Sequence, residues 1–221
     1  MKEKKKFFAL VGPIRSGKST VMEALKSRLD DGNTLFLSDS CGMLDSTHTP
    51  FTSAISEAAR SGCHEHTTPL SQLIFFWARL QPIIELDISP ALRAGKRVII
   101  NGFGGTIYVN ALLRATPEQH DLILDMHKSM IEQCVLAFNV PPPVYLWFKA
   151  TPETALQRPQ KKPSMSRVES PVAIESANKL FDFYGTLPGQ KVCKIDADNP
   201  LETVIEETID IIDQRELAHV A

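Results

Sequence analysis

The stretch Gly12-Pro13-Ile14-Arg15-Ser16-Gly17-Lys18-Ser19-Thr20 sets two glycines, a lysine and a hydroxyl at the spacing G-x-x-x-x-G-K-[ST]. Each residue type has a use if the partner is a polyphosphate. The glycines let the backbone curl so that successive N–H groups aim at phosphate oxygens. Lys18 is placed to reach the β- and γ-phosphates, and the Ser19 hydroxyl to hold Mg²⁺. ATP and Mg²⁺ are therefore the expected cofactors. A glycine-containing turn that binds nothing is the alternative, and the flanks argue against it. Phe7-Phe8-Ala9-Leu10-Val11 reads as a buried strand, and Thr20 to Leu29 as a helix with Val21, Ala24, Leu25 and Leu29 on one face. A strand feeding a loop at a helix N-terminus brings positive potential to the phosphates.

Other residues could do chemistry around that loop. Thr34-Leu35-Phe36-Leu37-Ser38 reads as a second strand, and Asp39 leaves it. Loops at strand ends line the ligand crevice of open α/β sheets. Asp39 is thus a candidate acceptor-site carboxylate or Mg²⁺ contact, with a helix cap or solvated turn as the alternative. Leu70 to Leu92 reads as one long helical stretch bent at Pro82, with Phe75 and Arg79 four apart on one face and Trp77 turned away. A ring and a guanidinium one turn apart can stack a base and bond its edge. By pattern alone the pair reads as a core Phe with a surface Arg.

The third strand, Arg97-Val98-Ile99-Ile100, empties into Asn101-Gly102-Phe103-Gly104-Gly105-Thr106. Many phosphate-loop enzymes carry an acid there to organise Mg²⁺; Asn101 cannot supply that charge. Arg158 to Arg167 is basic and interrupted by proline. Such a segment can close over phosphates and neutralise developing charge, which makes Arg158 and Arg167 candidates, against a plain solvated loop. Cys63-His64-Glu65-His66 invites a metal reading, but no second ligand cluster accompanies it, and a surface loop accounts for it better. Leu122, Ile123, Met126, Met130 and Ile131 form an apolar stripe on a helix from Pro117 to Phe138, which puts His120 and His127 at the surface.

The elements that must position these residues follow from the alternation of strands near 7, 34, 97, 144 and 191 with helices. That pattern argues for one five-stranded parallel sheet covered by helices on both faces, an α/β fold in a single domain over residues 1–221. Hydrophobic residues at 43% and charged residues at 23% suit a globular chain with a sizeable core. A net charge of -2 gives no nucleic-acid surface. The basic start, Lys2 to Lys6, runs into a short strand, so it reads as a solvated terminus, neither a leader nor a membrane span. A cytoplasmic protein is expected. Cys41, Cys63, Cys134 and Cys193 lack C-x-x-C spacing, which favours reduced thiols.

With these residues in place, the chain resembles the thymidylate kinase family of P-loop nucleoside and nucleotide kinases over nearly its whole length. The phosphate loop comes first. Phe75-Phe76-Trp77-Ala78-Arg79 resembles the family's base-binding helix, and Pro90 to Ile100 its approach to the third strand. Val144-Tyr145-Leu146 with Pro152 to Arg158 resembles the fourth strand and the start of the lid. Ser166-Arg167-Val168-Glu169 resembles the lid signature, and Ile195-Asp196-Ala197 the terminal strand beside the adenine site. The resemblance implies a three-layer P-loop NTPase fold with a mobile lid at about 158–170. It also implies a base site at Phe75 and Arg79 and a homodimer as the common family assembly. Arg15 matches an arginine found in the loop of some members. Three departures stand out: Asn101-Gly102-Phe103 replaces Asp-Arg-Tyr, Ile14 replaces an acid, and Asp39-Ser40-Cys41-Gly42 replaces Arg-Glu-Pro-Gly.

Two readings accommodate the departures. The first is an ATP-dependent kinase acting on a small-molecule nucleotide, a pyrimidine (deoxy)nucleoside monophosphate such as dTMP. Lys18, Arg15, Arg158 and Arg167 would supply positioning and charge. A deoxynucleoside acceptor is a variant of it, with Asp39 as general base. The second is a nucleotide-binding protein with little catalytic activity, because an acid and an arginine are missing at 101 and 102. A regulatory GTPase is set aside, since Asn178-Lys179-Leu180-Phe181 lacks the required acid.

Overall fold

Strands form where short apolar runs lie between polar turns, and the computed structural model places five of them in one sheet. It describes residues 7–38, 53–55, 57–58, 61, 67–159 and 170–217. The strands are β1 (Phe7–Val11), β2 (Thr34–Ser38), β3 (Arg97–Asn101), β4 (Val144–Lys149) and β5 (Lys191–Asp196). The helices are α1 (Lys18–Leu29), α2 (Pro69–Ile83), α3 (Ser89–Arg93), α4 (Gly104–Leu112), α5 (His120–Phe138), α6 (Pro152–Gln157), α7 (Pro171–Thr186) and α8 (Leu201–Leu217). The sheet runs β2-β3-β1-β4-β5 with every pairing parallel, as the alternating pattern requires. The expected α/β architecture is therefore present. Asp39, the Cys63–His66 cluster, Arg167 and most of the lid at 158–170 lie outside the described residues.

β1 is the centre, and all five of its residues are buried. Successive side chains point to opposite faces, so Phe7, Ala9 and Val11 join one core while Phe8 and Leu10 join another. On the first face pack Leu73, Trp77 and Leu80 of α2, Tyr108 of α4, Ile123 of α5 and Phe181 of α7. On the second pack Val21 and Leu25 of α1 with Val204, Ile205 and Ile212 of α8. Arg28 of α1 also pairs with Glu202 and Glu206 of α8 at the surface.

α2 and α3 form one rod despite two prolines. Pro82 and Pro90 each lack an N–H and crowd the carbonyl four residues back. Between them Ile84–Ile88 opens into a π-helical turn, in which the Ser89 amide reaches back five residues to the Ile84 carbonyl. The expected bend at Pro82 is thus taken up as a widened turn just after it.

One expectation is overturned. The buried face of α5 is Ile123, His127, Ile131 and Cys134, while Leu122 is 51% exposed. His127 is fully buried, not at the surface. It is tolerated because its Nε2 lies 3.0 Å from the Tyr184 hydroxyl of α7. Burial lowers its pKa to about 3, so the ring is neutral.

Candidate active site

The phosphate loop is where β1 stops and α1 begins, and its shape follows from what crowds it. Gly12 has φ +148°, and a Cβ there would meet the Phe148 carbonyl oxygen of β4 at 2.5 Å. Only glycine fits at that point. Arg15 is strained, a non-glycine residue at φ 59°. Its neighbours hold it there: Arg158 Nη1 donates to the Arg15 carbonyl at 3.1 Å, and Arg15 Nη1 reaches the Leu156 carbonyl at 3.5 Å. Ser16 is buried. Lys18 Nζ spans the loop, donating to the carbonyls of Gly12 (3.0 Å) and Pro13 (2.7 Å) and to Ser16 Oγ (3.1 Å). The Ile14 side chain packs, partly buried, against the second core. Thr20 lies in the first turn of α1.

Arg158 does more than tie Arg15. Its Nη2 donates to the Ala197 carbonyl in the β5–α8 turn. The same turn is tied to the start of α6, where the Thr151 amide donates to the Asp198 carboxylate at 2.9 Å. Thr151 also caps α6 by accepting from the Thr154 amide, with Pro152 in the first turn. The phosphate loop, the C-terminal end of α6 and the β5–α8 turn are thereby one braced unit around the β4 end.

On the other side of β1 stands β3. The register pairs Leu10 with Asn101, and the Gly102 amide donates to the Leu10 carbonyl at 2.9 Å. That register delivers Asn101 to the loop: its Nδ2 donates to Ser19 Oγ at 3.2 Å. Ser19 offers the hydroxyl a loop metal needs, so it fits one half of an Mg²⁺ site, but its partner here is a neutral amide. Among the described residues no cluster of three His, Cys, Asp or Glu side chains supplies an alternative.

β3 passes through Phe103 into α4, and a buried hydroxyl chain holds that junction from below. A Cβ on Gly105 would sit 3.1 Å from the Tyr145 ring and 3.2 Å from that of Tyr184. The Gly105 amide bonds the Tyr145 hydroxyl. Tyr184 Oη lies 3.1 Å from Tyr145 Oη and 3.2 Å from Gln190 Oε1. A hydroxyl has one proton and two acceptor sites. One assignment satisfies all these contacts: His127 Nε2–H and Tyr145 O–H both donate to Tyr184, which donates to Gln190. His127 Nδ1 is then the unprotonated nitrogen. Its lack of a partner costs less than a stranded N–H.

Between α2 and α4 lies a depression lined by Phe76, Arg79, Leu80, Ile83 and Ile107. Arg79 is 4% exposed, so the reading of it as a surface residue fails. Its Nε and Nη2 have no hydrogen-bond partner among the described residues. A buried guanidinium with two unpartnered donors makes this depression a candidate site for a group that can accept hydrogen bonds. Phe76 lines this depression; Phe75 is half-buried and stands edge-on to Phe76, with ring centroids 5.4 Å apart. Sequence spacing pointed to Phe75 and missed Phe76, since the turn of α2 about its axis is set by α4. Asn178 was also missed as a brace: it is buried, and its Nδ2 donates to the Ala150 carbonyl at 2.8 Å, tying α7 to the end of β4.

No family model matches the chain. Curated relatives do. A probable thymidylate kinase of Methanocorpusculum labreanum is 24% identical over 200 residues, covering 89% of this chain and 92% of that protein. A thymidylate kinase of Exiguobacterium sp. is 26% identical over 213 residues, covering 95% and 94%. One from Bacillus cytotoxicus is 25% identical over 221 residues, covering 95% and 97%. The chain is similar over most of its length to proteins named thymidylate kinase. Likeness end to end matters here, because it brings the phosphate loop, α2 and the β4–α6 junction into one alignment. Within this thymidylate kinase-like chain, Lys18, Ser19, Asn101 and Arg158 are gathered at the strand ends, with Arg79 on the α2–α4 side. Among the described residues no helix is long and apolar enough to cross a membrane.

Proposed function

We propose that the protein transfers a phosphoryl group from ATP to a nucleoside monophosphate, with a pyrimidine deoxynucleotide such as dTMP as the favoured acceptor. The observation that carries the reading is the phosphate loop with Lys18 drawn across its mouth, together with an α2–α4 depression in which Arg79 holds two unpartnered donors. End-to-end likeness to proteins named thymidylate kinase supports both donor and acceptor class.

In this reading Gly12 to Thr20 cradle the donor phosphates, and Lys18 swings from the loop carbonyls onto them. Mg²⁺, held at Ser19 and by the nucleotide's own oxygens, would supply charge neutralisation. Arg15 would turn from the Leu156 carbonyl onto the transferring group, while Arg158 keeps the strained Arg15 backbone in place and Arg167 closes with the lid. Arg79 bonds the base edge, and Phe75 and Phe76 flank the ring. A monophosphate brings its own nucleophilic oxygen, so Asp39 is required as a base only for a nucleoside acceptor. The apolar line Ile74, Ala78 and Pro82 of α2 with Leu86 of the following π-helical turn, Ile74 45% and Leu86 42% exposed, suits a homodimer contact.

A second reading, nucleotide binding with little turnover, is favoured by one observation: Asn101 stands beside Ser19 where an acid would serve. One experiment separates them. ATP consumption is measured with Mg²⁺ against a panel of nucleoside monophosphates and deoxynucleosides, with Lys18→Ala as control. Turnover with dTMP, lost in the control, is expected. ATP binding that Lys18→Ala abolishes, without turnover on any acceptor, sinks the kinase reading and leaves the second.

A further inference from the structure

Gln72 of α2 is buried at 6% exposure, and its Oε1 has no hydrogen-bond partner among the described residues. The buried amides of Asn101 and Asn178 differ: each donates a bond, to Ser19 and to the Ala150 carbonyl. A buried acceptor without a donor is costly in the ligand-free chain. Having already given up its water, it gains more than usual when a ligand supplies the donor. Its place on α2 narrows which ligand group that is. Gln72, Phe76, Arg79 and Ile83 are spaced i, i+4, i+7 and i+11, so they stand in one line along the helix. The last three line the α2–α4 depression, and Gln72 continues the line beyond Phe76. The α2–α3 rod ends at Arg93 beside the start of β3, where the Lys96 amide donates to the Ala91 carbonyl at 2.9 Å. Its other end, with Gln72, therefore stands at the C-terminal edge of the strands, where the phosphate loop leaves β1. Gln72 is thus on the loop side of Arg79, about 10 Å from it along the helix axis.

A nucleotide whose base edge meets Arg79 must turn its phosphate toward Lys18, so its sugar lies on the Gln72 side of the base. Between base and phosphate a deoxynucleoside monophosphate offers one donor. The ring and ester oxygens and the ionised phosphate only accept, and the 3′-hydroxyl alone can give a proton to a carbonyl oxygen. Resting on the acceptor reading above, we propose that Gln72 Oε1 accepts a hydrogen bond from the 3′-hydroxyl of the acceptor's sugar and so selects nucleotides that carry it. Arg79 reads the base and Gln72 the sugar from one line of one helix. Both are covered in the ligand-free chain, so α2 and α4 part as the acceptor enters.

The test is calorimetric titration of the full chain with dTMP and with its 3′-deoxy analogue, for wild type and Gln72→Leu. Wild type is expected to bind dTMP at least about tenfold more tightly than the analogue. Gln72→Leu fills the same space without an acceptor, and is expected to bind the two within about threefold of each other. Thermal melts show whether the variant is folded, and Gln72→Met takes its place if it is not. A packing role for Gln72 would leave the preference for dTMP unchanged in either variant. A wild type that binds both nucleotides alike overturns the proposal, as does a folded variant that keeps the tenfold preference. A wild type that binds neither nucleotide overturns the acceptor reading, and the proposal with it.

Discussion

Arg79→Met separates the ligand-site reading of Arg79 from a structural one, because the two predict opposite signs. Arg79 is 4% exposed, and its Nε and Nη2 have no partner among the described residues. Each stranded buried donor costs about 1–3 kcal/mol. Methionine keeps much of the stem's volume, packs against Leu80 and Ile83, and brings no donor. The ligand-free variant is therefore expected to gain about 1–4 kcal/mol. That corresponds to a rise of roughly 2–4 °C in Tm per kcal/mol for a chain of this size. The same change deletes the charged donors aimed at the acceptor. One lost charged hydrogen bond is worth about 1.5–3 kcal/mol, or roughly 10–150-fold in acceptor affinity. Urea unfolding of the ligand-free protein gives the first quantity, and titration with dTMP gives the second. A variant both less stable than wild type and unchanged in acceptor affinity would refute the argument, making Arg79 a packing residue. Arg79→Ala would be a poorer probe, since the cavity it leaves masks the gain.

Three further outcomes follow from other parts of the molecule. Gly12→Ala forces a Cβ to within 2.5 Å of the Phe148 carbonyl at φ +148°; we expect a loss of about 2–5 kcal/mol together with ATP binding, checked by thermal melts with and without nucleotide. Tyr184→Phe strands His127 Nε2–H and the Tyr145 hydroxyl, both fully buried. It should cost about 2–5 kcal/mol in urea unfolding, and a loss under about 1 kcal/mol argues against the proton assignment. Acid should weaken the fold through His127, whose pKa burial lowers from the ordinary histidine value of 6.5 to about 3. The unfolded chain binds the extra proton between those values, so this contribution is complete above about pH 6.5 and is lost at about 1.4 kcal/mol per pH unit below it. The difference in stability between wild type and His127→Phe, followed from pH 7.5 to 5, isolates it; a flat difference contradicts the burial of a neutral ring.

What could be read from the chain beforehand divides by how far apart in sequence the deciding partners lie. The phosphate loop is legible because nine consecutive residues carry its chemistry, and the strands because each is a short apolar run between turns. His127 was misplaced because an apolar-stripe count leaves histidine out, while the group that makes its burial affordable, Tyr184, is 57 residues away. Arg79 misled for the same reason: periodicity assigns a charged residue to solvent, and only α4, arriving through β3, buries it.

Asn101 is the sharpest instance of that division. In the sequence it reads as the loss of an acid, which argues for a weakened enzyme. In the fold it is a residue 82 positions from Ser19 that the parallel register of β1 and β3 brings into hydrogen-bond contact with it. A group simply lost from a site leaves the remaining hydroxyl without a partner or opens room for water. Here the hydroxyl is bonded, the strand is in register, and Gly102 continues the ladder to the Leu10 carbonyl. The substitution therefore leaves the geometry of the loop intact and changes only its charge. Its effect is expected in rate, and not as a loss of fold or of phosphate binding.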